Sequence, residues 1–149
     1  MSSSNSKASA IAQPPGTPTG GQRAMILVVE RNPAVQRLEK FLLEQAGYTV
    51  EFASDGVSAL ARARELRPHI LVTEILVPKL DGLNLCRALK SDPATRDILV
   101  LVFSHLHAED RAREVEADAF LFKPLNEELL IETVQKLIAL QLKSAGSKS

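Results

Sequence analysis

The feature that most constrains this chain is a hydrophobic pattern that switches period again and again between positions 25 and 142. Met25 to Val29 is a continuous apolar run, the mark of a strand covered on both faces. Comparable runs recur at 69–75 and 98–103, with a brief last one at Ala119 to Phe122, while 48–53 alternates apolar and polar residues as an edge strand would. Between the runs the spacing becomes helical. Asn32 is placed to cap a helix with Pro33 in its first turn, and Val35, Leu38, Phe41, Leu42 and Ala46 recur along it until Gly47. A second helix opens near Ser54 and Asp55, carries Val57, Leu60 and Ala61, and must end before Pro68. A third starts at Asp81 and Gly82 with Leu85, Cys86 and Leu89 inward, a short fourth spans 108–116, and Asn126 caps a fifth with Leu130, Val134, Leu137 and Ile138 inward.

Five strands in strict alternation with five helices, joined by right-handed crossovers, give an α/β fold: an open, doubly wound parallel sheet with helices on both faces. Functional groups in such folds gather beyond the carboxyl ends of the strands. Topology therefore selects Glu30 and Arg31, Glu74, Ser104 and His105, and Lys123 as the residues to examine.

Composition removes other classes. Hydrophobic residues make up 45% of the 149 positions but aromatics only 4%, with no Trp, which argues against β-sandwiches and base-stacking RNA modules. All 18 acidic residues fall between 25 and 142, whereas Lys7, Arg23, Lys143 and Lys148 lie outside, so the core carries 14 basic against 18 acidic residues. That sign predicts no general nucleic-acid binding. Residues 1–24 hold 13 Ser, Thr, Pro or Gly and no aromatic and are expected to be a disordered tail, as is 143–149, leaving 25–142 as one domain. The single cysteine, Cys86, and the absence of a long apolar run point to a cytoplasmic protein without membrane contact. Cys86 itself reads as a small core residue.

ILVVE at 26–30, HILVTEILVPKLDG at 69–82, LVLVFS at 99–104 and FLFKP at 120–124 together resemble the receiver domain of bacterial two-component response regulators. The resemblance implies a flavodoxin-like sheet of order 2-1-3-4-5 and a chemistry in which an Asp at the end of the third strand takes a phosphoryl group from a histidine kinase. It also implies a Mg²⁺ held by that Asp and an acidic pair, with a hydroxyl and a lysine on the phosphoryl oxygens. Carried over, the acidic pair is Glu30 and Arg31, the phosphoacceptor position is Glu74, the phosphate-binding pair is Ser104 and Lys123, and the switch aromatic is Phe120.

Several positions depart from that pattern. Glu74 carries its carboxylate one methylene further out than Asp, and Arg31 puts a cation where a metal ligand belongs. Mg²⁺ requires oxygen ligands in near-octahedral geometry, so its site is expected to be lost and no cofactor is expected. Glu30, Arg31, Glu74 and Lys123 sum to zero, which suggests an internally neutralised ion cluster; the competing reading makes Glu74 a mimic of the phosphorylated state, holding Lys123 and Ser104. One carboxylate has less charge and fewer acceptors than a phosphate monoester, which favours the cluster. His105 stands where a small residue usually admits the phosphoryl donor and is expected to cover the pocket, and 104–123 is about three residues shorter than the family norm.

The expectation is a non-enzymatic, stand-alone, degenerate receiver that signals by protein contacts, with a histidine kinase, another response regulator or a second copy of itself as partner. No output module follows residue 142 in this sequence, which argues against direct DNA regulation. Two alternatives remain: a receiver phosphorylated on another carboxylate, and a metal-dependent enzyme built on His105 and His107.

Overall fold

The computed structural model of the chain describes residues 23–123 and 126–148. Its strands are β1 (Met25–Val29), β2 (Thr49–Ala53), β3 (Ile70–Glu74), β4 (Leu99–Ser104) and β5 (Ala119–Phe122). Its helices are α1 (Pro33–Gln45), α2 (Gly56–Leu66), α3 (Gly82–Ser91), α4 (Glu109–Glu114) and α5 (Glu127–Lys148). All strand pairs are parallel, in the order β2-β1-β3-β4-β5 expected from the sequence. Residues 1–22, Pro124 and Leu125 lie outside the described residues, and with them nearly all of the expected N-terminal tail. Ala24, assigned to that tail, is buried instead, and its carbonyl accepts the N–H of Thr49. At the other end α5 continues through Lys148, past the boundary expected at 142.

Four of the five helices begin where a short polar side chain satisfies free backbone N–H groups, whereas α4 follows Ala108 without a side-chain cap. Asn32 accepts from Ala34 and Val35, Asp55 from Ser58, Asp81 from Asn84, and Asn126 from Leu129. Two apolar layers sandwich the sheet. One contains Leu27, Val29, Leu71, Val100 and Val102 with α2, α3 and α4; the other contains Ile26, Val28, Ile70, Val72, Leu101, Phe103 and Leu121 with α1 and α5. Strand alternation sends successive residues to opposite layers.

The inward faces of α3 and α5 are those expected from spacing. Two others are rotated. In α1 the buried residues are Glu39 and Leu43, while Leu38 and Phe41 are 52% and 59% exposed. In α2 the buried residues are Gly56, Ala59 and Ala63, and Val57 and Ala61 face outward. Small residues let α2 lie close to the sheet, and the loop before α3 closes over its first turn: Gly56 N–H donates to the Pro78 carbonyl, and Lys79 adopts a left-handed φ of 72°.

Gly82 sets the end of β3. Its N–H donates to Ile75 O, and a Cβ placed on it would lie 2.3 Å from Glu74 O and 3.0 Å from Glu74 C. Those are backbone atoms of the strand that carries the central site residue, so they cannot yield without moving it. Gly82→Ala should therefore destabilise the fold by about 2 kcal/mol through overpacking, read as a lower urea midpoint at unchanged slope.

Candidate functional site

Register alone brings the selected residues to one edge. Val29 lies opposite Thr73, so Glu30 is level with Glu74; Glu74 pairs with Phe103 and Ser104 with Phe122, so Ser104 and Lys123 follow one step further on. Alternation then divides them between the layers. Glu30, Glu74 and Lys123 continue the rows of Val28, Val72 and Leu121 on the side of α1 and α5, whereas Ser104 continues the row of Val102 on the side of α2 to α4.

The centre of the charged half is an ion pair. Lys123 Nζ donates to Glu74 Oε1 at 3.0 Å, with both side chains largely buried, and sits 5.2 Å from the centre of the Phe103 ring. The contact ties the end of β5 to the end of β3 across β4. Glu30 is 3% exposed; its Oε2 accepts the N–H of Asn32 and its Oε1 has no hydrogen-bond partner. The Glu30 carbonyl accepts from Gln36 Nε2, which binds α1 to the turn after β1.

Arg31 is not part of this arrangement. It is exposed and makes no ion pair among the described residues, so the electrically neutral cluster of four expected from sequence is corrected to a Lys123–Glu74 pair beside Glu30. The physical reason is that the chain leaves the sheet after Glu30, and a guanidinium keeps its hydration at no cost by extending outward. The second acidic group of the site is instead Glu39, from the middle of α1. It is 2% exposed, with neither carboxylate oxygen partnered. Burial and the charges of Glu30 and Glu74 push its pKa up to about 8, with Lys123 acting in the opposite direction. Glu39 was missed because Leu38 and Phe41 offered an equally regular apolar stripe. Its spacing of four from both Val35 and Leu43 was the available signal.

The other half of the edge is uncharged. Ser104 is fully buried and its Oγ accepts the N–H of Leu106, fixing the turn after β4. Phe120 packs partly buried against the α2–α4 layer and meets Phe122 edge-on, with centroids 5.1 Å apart. His107 also stacks edge-on against Phe122, at 5.3 Å, and His105 is exposed. Among the described residues no group of three His, Cys, Asp or Glu side chains is arranged to hold a metal ion, the His105 and His107 pair included. Cys86 is fully buried, its Sγ bonded to the Val115 carbonyl, and burial pushes its thiol up to about 12, which keeps it an unreactive core residue.

Breaking the central pair has a calculable consequence. Lys123→Met would leave the Glu74 carboxylate desolvated and remove the one cation that offsets Glu39. A loss of about 2 kcal/mol is expected, below the 3–5 kcal/mol of fully buried pairs because some solvent reaches this one; urea denaturation at pH 7 measures it, and Lys123→Met with Glu74→Met should recover most of the loss.

A family model described as the response regulator receiver domain matches residues 26–135. The chain is 34% identical over 116 residues to the DNA-binding dual master transcriptional regulator RpaA of Synechocystis sp., covering 76% of this chain and 48% of that protein. It is 38% identical over 122 residues to the response regulator PleD of Caulobacter vibrioides, with 80% and 27% covered. It is 31% identical over 116 residues to the polar-differentiation response regulator DivK of Brucella anthropi, with 76% and 94% covered. The chain thus spans about half or less of RpaA and PleD. Among solved structures, the signal receiver domain of a signal transduction histidine kinase from Syntrophus aciditrophicus matches with a TM-score of 0.73 at 33% identity, covering 78% of this chain and 90% of that one. The chemotaxis response regulator CheY4 of Vibrio cholerae matches with 0.72 at 26%, covering 76% and 98%. Fold, family match and the gathering of residues 30, 74, 104 and 123 at one sheet edge agree, and the chain belongs to the response regulator receiver domain family of two-component signalling.

Proposed function

We propose that this receiver signals by protein contact without accepting a phosphoryl group, acting in the cytoplasm on a histidine kinase or another signalling protein. The observation that carries the reading is the state of residue 74: a Glu stands at the acceptor position, and its carboxylate is already engaged by Lys123 at 3.0 Å. Phosphoryl transfer is governed by positioning and charge neutralisation. A displacement of about 1 Å in the attacking oxygen costs on the order of 100-fold in rate.

The donor set at the edge does not fit the family's Mg²⁺. Position 31 offers no oxygen ligand, its exposed guanidinium lying outside the cluster, and Glu74 is held by Lys123. Glu39, the remaining carboxylate of the cluster, comes from a helix interior, and burial favours its neutral form. An octahedral ion that releases water reluctantly is poorly served by this arrangement. The same features speak against phosphoryl transfer to another carboxylate of the edge. His105 and His107 give a metal-dependent reaction little support, since among the described residues no third His, Cys, Asp or Glu joins them as a ligand group.

Incubation with acetyl phosphate and Mg²⁺ followed by intact-mass measurement is expected to show no addition of one phosphoryl group. A stoichiometric, hydroxylamine-labile addition that disappears in Glu74→Ala would overturn the proposal. Conversely, the double change Arg31→Asp with Glu74→Asp should create Mg²⁺ binding detectable by calorimetry, since it returns the family's three carboxylates to the edge. Equal binding by Glu74→Asp alone would show that position 31 is not the obstacle.

A further inference from the structure

Among the described residues Glu39 is the one carboxylate buried with both oxygens unpartnered. It is on the inward side of α1, one turn from Leu43, in the apolar layer shared with α5, and both of its oxygens lack partners. Helical side chains lean toward the helix N-terminus, so its carboxyl is directed up the layer toward the edge where Glu30, Glu74 and Lys123 end their rows. Glu30 presents a buried, unpartnered Oε1 on the same side. The charged groups acting on Glu39 are Glu30 from just after β1, Glu74 from the end of β3 and Lys123 from just after β5. Among the described side chains of α5, the helix packed against α1, Glu127, Glu128, Glu132, Lys136 and Lys143 are exposed. Glu51 of β2 is paired with Arg62.

We propose that Glu39 is a proton-binding site that controls the receiver edge from beneath: with a proton on Glu39, Lys123 remains on Glu74, and once that proton passes to solvent, Lys123 is drawn toward Glu39 and Glu30 and the link from β5 to β3 opens. The argument is one of charge in a low-dielectric layer. A buried carboxylate without a partner is costly, and Lys123 is the one cation acting on Glu39. Its long stem and position over Phe103 allow the ammonium to exchange one carboxylate for another without leaving the layer. A proton would then serve as the charge-balancing ligand of the edge, and the proposal holds whether or not residue 74 can be phosphorylated.

The sign of the stability effect follows from the direction of the shift. The folded state holds its proton up to about 8, whereas the unfolded chain releases it near 4.5, so between those values the unfolded state binds fewer protons and stability falls as pH rises. The folding constant should drop about tenfold per pH unit across that window and level off above it.

The test is a pH titration of the full chain with ¹³C-labelled Glu and Lys between pH 4 and 9. A Glu39 carboxyl midpoint near 8, with the Lys123 side-chain resonances shifting at that same midpoint, is expected. In Glu39→Gln the Lys123 shift and the pH-dependent loss of stability should both disappear. A Glu39 midpoint in the ordinary carboxylate range, or Lys123 resonances unmoved through the Glu39 transition, would overturn the proposal. Should Glu39→Gln fail to fold, Lys123→Met decides: it should raise the Glu39 midpoint, and an unchanged midpoint would overturn it.

Discussion

A parallel sheet covered on both faces leaves charge nowhere to go except its ends, and the rest of this molecule is arranged around that constraint. Every residue of β1 after Met25 is fully buried, as are Ile70, Leu71, Val100 and Leu101 at the centre. Burial of this aliphatic surface is the main favourable contribution to folding. It requires that the polar groups collect where the strands stop. Glu30, Glu74, Ser104 and Lys123 come together because five strands end at nearly one level, with little recognition among the side chains themselves.

The opposite edge is anchored by residues with a purely structural role. His69 Nδ1 accepts the N–H of Met25, while its own N–H donates to the Met25 carbonyl. Its carbonyl accepts from Leu99, so one residue joins β1, β3 and β4. Lys90 bridges the carbonyls of Arg96 and Ile98 to Asp118, which also accepts from Val100. At the carboxyl edge the chain places Glu30, Glu74 and Lys123 on one side of the sheet and Ser104 on the other. Glu39 adds a further carboxylate inside the layer, where low dielectric turns it into a weak acid.

Much of this was legible in sequence. The strands, the capped helix starts and the edge positions follow from period and from Asn32, Asp55, Asp81 and Asn126, because these are local relations between a side chain and its own backbone. The family followed from four short segments in order. What the sequence did not disclose was which stripe of α1 faces the sheet. Leu38, Phe41 and Leu42 make as good an apolar face as Val35, Glu39 and Leu43, and only docking against the sheet and α5 chose the latter. In α2 the choice fell on Ala59 and Ala63 over Val57 for the related reason that a close approach needs small side chains.

By itself, then, the sequence determined the order of elements, the parallel sheet and which residues stand at its carboxyl edge, since hydrophobic period and capping are written in neighbouring positions. Only the tertiary structure decided the charge balance of that edge. It turned Arg31 out to solvent, set Lys123 on Glu74 and brought Glu39 in from a helix nine residues after Glu30. Electrostatic energy depends on distance and on burial, and neither quantity exists until helix and sheet have packed.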